Sequence, residues 1–150
     1  MENDKPKVNI DLIYNYSNDL AETRRFYTDL MGMDEVAYDE EYNYLRYRVE
    51  GLQVVFFGAE EKIPIREGYA VQPGWDGGTL EASSWAVNIV EGEYAGTVKR
   101  LQKAGVKSFD PNPTWVHDSY WSFAVLDPMG NTIELTMVPA QKPENVNWGK

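Results

Sequence analysis

Apolar residues recur at helical spacing in two places along the chain. In Asp19–Gly32, Leu20, Thr23, Tyr27, Leu30 and Met31 share one face, and in Glu93–Gly105 so do Tyr94, Val98, Leu101 and Gly105. Asp19 is a good N-cap, and Gly32 and Gly105 supply the left-handed residue that ends a helix. Both helices are one-sided, so each is expected to lie on a sheet. Elsewhere the period drops to two. Leu45, Tyr47 and Val49 alternate with Arg46, Arg48 and Glu50; Trp121, Phe123 and Val125 alternate with Ser122, Ala124 and Leu126. Ile133, Leu135 and Met137 alternate with Thr132, Glu134 and Thr136. Each alternation marks a strand with one face on a core. The segment Asp127-Pro-Met-Gly-Asn131 is a turn by composition and makes the last two strands a hairpin.

The two halves have the same plan. A strand-like run precedes each helix (Asn9–Tyr16 and Ser84–Val90), and Gly-bounded runs follow, ending in Gly51–Phe57 and Gly130–Met137. Repetition of this kind predicts an α+β fold of two βαβββ modules that form a curved mixed sheet with a cup, helices on its convex face. A cup is a place to hold a small molecule. Module one is expected over about 8–58 and module two over about 84–138, in a single domain spanning 1–150. The tail, 139–150, is polar and contains Trp148. Between the modules, 59–80 is rich in Gly and Pro, and a loop of that length serves as a ligand wall or as a plain connector.

Composition narrows the function classes. The net charge of −10 argues against nucleic acid, which needs clustered Lys and Arg. It suits a cationic ligand, or simple solubility. With no Cys, disulfides, thiolate ligands and a Cys nucleophile are excluded. No apolar run long enough for a membrane span is present, and MENDKPK lacks the apolar core of a secretory signal, so a cytoplasmic protein is expected. Gly74-Trp-Asp-Gly77-Gly78 lacks the Lys of a phosphate loop, and Ser83-Ser84 lacks a nucleophile elbow.

Two motifs carry a resemblance. NDLAETRRFYTDLMGM resembles the first helix of the vicinal oxygen chelate superfamily, which groups glyoxalases, bleomycin-resistance and fosfomycin-resistance proteins and extradiol dioxygenases. FAVLDPMGNTIELT resembles its closing hairpin, and the similarity covers roughly 8–138. Members with metal chemistry take His, Glu or Gln ligands from the first and last strand of each module. By that resemblance the closing ligand falls on Glu134, and its twin, found by aligning Gly51 with Gly130, is Val55. If the apolar residues Ile10, Leu12, Tyr14 and Tyr16 face the helix, the first-strand positions are Asp11 and Ser84. A slip of one residue gives Leu12 and Trp85 instead. Asp11, Val55, Ser84 and Glu134 make a poor transition-metal set, so no cofactor is expected. The alternative is a divalent metal held by Asp11, Glu134 and the single His117, in a lyase or dioxygenase of the same superfamily.

The expected cup also draws in Arg46 and Arg48, which face inward if their strand curves around it and are plain surface charges if it does not. Trp75, Trp115 and Trp121 fall in loops and strand starts, where aromatics stack on planar ligands or line a dimer seam. The resulting expectation is a metal-independent protein of the glyoxalase and bleomycin-resistance kind. It would bind a cationic or aromatic small molecule through Glu134, Asp11, Arg46, Arg48, Trp75, Trp115, Trp121, Ser84 and Val55, and would pair as a homodimer.

Overall fold

The computed structural model describes residues 8–72, 75–82 and 84–150. The MENDKPK segment, Pro73, Gly74 and Ser83 lie outside the described residues. Module one comprises β1 (Leu12–Ser17), α1 (Leu20–Arg24), β2 (Glu35–Asp39), β3 (Tyr44–Val49) and β4 (Leu52–Gly58). Module two comprises β5 (Ser84–Asn88), α2 (Glu91–Lys103), β6 (Thr114–Val116), β7 (Tyr120–Leu126) and β8 (Thr132–Met137). The two sheets have equivalent orders, β1-β4-β3-β2 and β5-β8-β7-β6. In each, the first strand pairs parallel with the last, and the other pairings are antiparallel. This is the α+β fold of two βαβββ modules expected from the repeat. Among the described residues no helix is long and apolar enough to cross a membrane.

The helices begin and end where their sequence requires. The Asp19 carboxylate accepts the Glu22 amide at 3.0 Å and opens α1. From Arg25 to Leu30 the helix widens into a π-helical segment, closed by the Met31 amide bonding back to the Phe26 carbonyl. Gly32 and Gly105 follow the two helices at φ 75 and 71. Each helix covers one face of its own sheet. Tyr27 lies 4.6 Å from Phe56 in module one, and the Tyr94 hydroxyl donates to the Leu135 carbonyl in module two.

The helix-covered faces join in one core. Tyr27, Tyr47 and Phe56 belong to the same buried cluster as Tyr94, Phe123 and Leu135. Two polar contacts pin the seam: Tyr27 donates to Asp127 at 2.6 Å, and Arg100 Nε donates to the Leu30 carbonyl at 3.0 Å. Burial, reinforced by the Asp127 charge, pushes the Tyr27 hydroxyl well above its usual pKa. The tail closes the core, with Trp148 edge-on to both Tyr94 and Trp121.

One expectation fails in register. In module one, β1 pairs Tyr14 with Val55 and Asn15 with Phe56, while β3 pairs Leu45 with Phe56 and Arg46 with Val55. Paired residues share a face, so Leu12, Tyr14 and Tyr16 stand beside Gln53, Val55 and Phe57 on the face away from the helix. Asp11 and Asn15 belong to the helix-facing set, which corrects their expected place in the cup. The physical reason lies in Ser17 of that set: its hydroxyl accepts the Asp19 amide and bonds Thr23 Oγ1 at 2.7 Å, so polarity on this face serves the helix start. In module two the expected register holds. Trp85 and Val87 pair with Ile133 and Leu135 toward the core, leaving Ser84 and Ala86 beside Thr132 and Glu134.

Candidate ligand-binding site

The helix-free faces of the two sheets are the candidate cup surfaces, and they differ. On sheet one, Tyr16, Phe57 and Tyr44 form a row across β1, β4 and β3. Phe57 lies 6.0 Å from both Tyr14 and Tyr16 and 6.5 Å from Tyr44, so four rings meet as a slab. Tyr14 and Tyr16 are 58 % and 52 % exposed. An open cavity of about 670 Å³ begins at Tyr16 and Phe57 and runs past Tyr42 to Glu60, Glu61 and Ile63. The next row across the sheet is Tyr14, Val55 and Arg46, and beyond it lie Leu12, Gln53 and Arg48. Both arginines thus stand on the cup face, Arg46 half-buried and Arg48 exposed.

On sheet two the chain itself covers part of the cup. The segment after Pro64 runs across it: Arg66 donates to Asn131 Oδ1 at 2.9 Å, and the Ala70 amide donates to Thr132 Oγ1 at 2.9 Å. Gln72 donates to Ser84 Oγ at 3.1 Å, and both Ala70 and Gln72 are 2 % exposed. Tyr69 and Trp75 sit 5.3 and 4.7 Å from Phe109, whose amide bonds the Ala124 carbonyl along β7. Arg66, Ala70, Gln72 and Trp75 of the connector thus stand as a wall of the second cup. Glu134 lies in the part that remains. It accepts from Ser122 Oγ at 2.6 Å and from the Tyr120 hydroxyl at 3.4 Å. Burial and then the Glu134 charge raise the Tyr120 pKa.

The expected site residues thus divide among several places. Val55, Arg46 and Arg48 share the cup face of sheet one, while Ser84 and Glu134 share that of sheet two. Trp75 belongs to the wall over sheet two. Trp115 and Trp121 lie on the opposite, helix-covered side, 5.4 Å apart, where they pack with the core and cannot stack on a ligand in either cup. His117 and Asp118 occupy the two centres of the tight β6–β7 turn, both at φ 51, with the Ser119 amide bonded to the Val116 carbonyl. Turn geometry accounts for His117. Sequence reasoning missed Tyr14, Tyr16 and Gln72; the signal for the first two was the apolar alternation of β1 itself, assigned to the wrong face.

With the register of β1 established, the four family ligand positions hold Leu12, Val55, Ser84 and Glu134: two hydrocarbons, one hydroxyl and one carboxylate. Such a donor set does not fit a transition metal, which wants three or more nitrogen, oxygen or sulfur ligands. Nor do Asp11, Glu134 and His117 meet. Among the described residues no three His, Asp or Glu side chains form a metal-holding group.

Comparison with known proteins places this geometry in a family. Residues 9–135 match the sequence model of the Glyoxalase/Bleomycin resistance protein/Dioxygenase superfamily. Among solved structures, a glyoxalase/dioxygenase from Nostoc punctiforme is similar at TM-score 0.65 and 17 % identity, over 87 % of this chain and 91 % of that one. The lactoylglutathione lyase of Agrobacterium tumefaciens is similar at TM-score 0.59 and 18 % identity, over 97 % and 100 %. The fosfomycin resistance protein FosX from Mesorhizobium loti is similar at TM-score 0.60 and 13 % identity, over 91 % and 96 %. At these identities the likeness is one of fold. Sequence comparison with curated proteins gives no significant match.

Proposed function

Since the chain belongs to the Glyoxalase/Bleomycin resistance protein/Dioxygenase superfamily, we propose that it is a small-molecule-binding member that works without a resident metal and holds a planar, cationic ligand on sheet one. The observation that carries this reading is the open slab of Tyr14, Tyr16, Tyr44 and Phe57 beside the cavity that ends at Glu60 and Glu61. Aromatic faces attract planar rings and cations, and carboxylates at the rim add charge of the right sign. The hydrocarbons at Leu12 and Val55, which cost the site its metal donors, favour the same ligand. A homodimer fits this reading too. β1 is an edge strand of its sheet and leaves Ile13, on the face opposite the slab, 38 % exposed, a surface that a second copy would cover.

Calorimetric titration of chelator-treated protein with 9-aminoacridine, a planar aromatic cation, tests the site and the metal together. Binding should be unchanged by added zinc or manganese and weakened about tenfold by Tyr16→Ala, the loss of one stacking face. Glu134→Ala should leave it nearly untouched. Binding that requires added metal, or that disappears with Glu134→Ala while surviving Tyr16→Ala, would refute the proposal and move the site to sheet two.

A further inference from the structure

The cup face of sheet one contains a cation as well as aromatic rings. Arg46 stands in the row between Val55 and Ala37, next to the row of Tyr44 and Phe57. Its Nε is shut off from solvent and has no hydrogen-bond partner. Among the described residues Arg46 makes no ion pair either; the two present are Arg24 with Glu35 and Lys142 with Asp118. Arg48, one row further on, is exposed, so water serves it; Arg46 is half-buried, so water reaches the end of its guanidinium but not Nε. A guanidinium that has lost water at one N–H and has no acid beside it gains from an anion at its remaining, accessible N–H groups. Its planar fork matches a carboxylate or phosphate.

The acidic rim lies at the other end of the slab. Val55, in the Arg46 row, is three positions from the end of β4 at Gly58, about 10 Å at strand rise, and Glu60 lies just beyond that end. Tyr16 and Phe57 fill the interval. We infer that the ligand of this site is dipolar: an elongated planar aromatic molecule with a carboxylate or phosphate on Arg46 and an ammonium group toward Glu60 and Glu61. This rests on the ligand site proposed above and adds to it the anionic pole and its anchor.

Three probes separate the two statements: 6-(aminomethyl)naphthalene-2-carboxylate, its methyl ester and its N-acetyl derivative, titrated calorimetrically into the full chain. The free amino acid should bind about tenfold or more tighter than the ester, the worth of one charge-assisted hydrogen-bonded pair. In Arg46→Met, which keeps the apolar stem, that preference should vanish, while the preference over the N-acetyl derivative should persist. Ligand-free Arg46→Met should melt no lower than the parent, because only an unpaired group has been removed. Equal affinity of acid and ester, a preference that survives in Arg46→Met, or a lowered melting temperature of the ligand-free variant would each overturn the anion anchor. In those cases ester binding that is lost in Tyr16→Ala would leave the aromatic site standing. Failure of all three probes to bind would overturn both.

Discussion

The two modules share a strand order and a hairpin plan, yet one presents its free sheet face to solvent and the other covers part of it with its own chain. The difference begins at equivalent positions. Val55 and Glu134 are twins by the repeat, as are Gln53 and Thr132, and in each pair module one has the member that cannot hold a metal or has no loop bound to it. The hydroxyl of Thr132 receives the Ala70 amide, whereas the start of the connector, Glu60 to Ile63, only borders the open cavity at Tyr16 and Phe57. The repeat thus gives two copies of one surface; the connector edges the first with Glu60 to Ile63 and crosses the second with Arg66 to Gln72. What is left open on the first is apolar, aromatic and flanked by charge of both signs.

The twin glycines put the sharpest strain on this comparison. Gly51 and Gly130 both close hairpins into the last strand of their module, at φ 87 and 76. Around Gly51 a Cβ would meet nothing, while at Gly130 it would collide with the Arg66 backbone, where the connector bonds the Met129 carbonyl. Gly51→Ala should therefore cost only the left-handed conformation, about 1–2 kcal/mol. Gly130→Ala adds a backbone collision and should cost about 3–5 kcal/mol in all. Urea unfolding of the two variants measures both. Equal losses would mean that the connector is not seated on module two as described.

A gentler probe leaves the fold intact. Gln72 is buried, and its amide nitrogen donates to the Ala70 and Val71 carbonyls and to Ser84 Oγ. Gln72→Ala should cost about 1–2 kcal/mol. The loss should be local. Hydrogen exchange should quicken at the Val71 and Thr79 amides, which bond within the connector, and stay unchanged along β1 and β4. Faster exchange along β1 as well would show that the connector supports both modules and that their difference is smaller than the geometry indicates.

Both the repeat and its αL glycines were readable because helix and strand periods, caps and hairpin turns are local properties. Ser84 and Glu134 were also readable, since in β5 and β8 the apolar residues do face the core. The same rule inverted β1. It assumes that apolar means buried, and Leu12, Tyr14 and Tyr16 are apolar on the face that is free to meet a ligand. The polar set, in turn, ends in Ser17, whose partners Asp19 and Thr23 become visible only once the helix start is built. Trp115 and Trp121 misled in the opposite sense: their alternation with Thr114, Ser122 and Ala124 marks core, and only their aromatic character suggested a ligand. The tail carrying Trp148, which closes the core against Tyr94 and Trp121, has no periodicity from which its docking could be read.

The smallest expected effect separates how the two helices are held. In module one, Glu35 accepts from Arg24 at 2.8 and 2.9 Å and from Thr28 at 2.7 Å, tying helix to sheet with a titratable group. Module two uses the Tyr94 hydroxyl on a backbone carbonyl, which does not titrate in acid. The Arg24 hydrogen bonds, aided by Thr28 and opposed by burial, hold the Glu35 pKa below the usual carboxylate value. A depressed folded pKa means stability that is present above the unfolded value, about 4.3, and is lost as pH falls through the folded one. Because Arg24 is well exposed, screening limits the pair, and Glu35→Gln should cost only about 0.5–1 kcal/mol at neutral pH. The gap between parent and variant should then close below about pH 4. Tyr94→Phe should show a gap of constant size over the same acid range, since neither partner changes charge. Denaturant unfolding at pH 7 and pH 3 reads both; a Glu35→Gln gap that persists at pH 3 would mean that geometry, not charge, holds the first helix, and that the modules are alike in this respect after all.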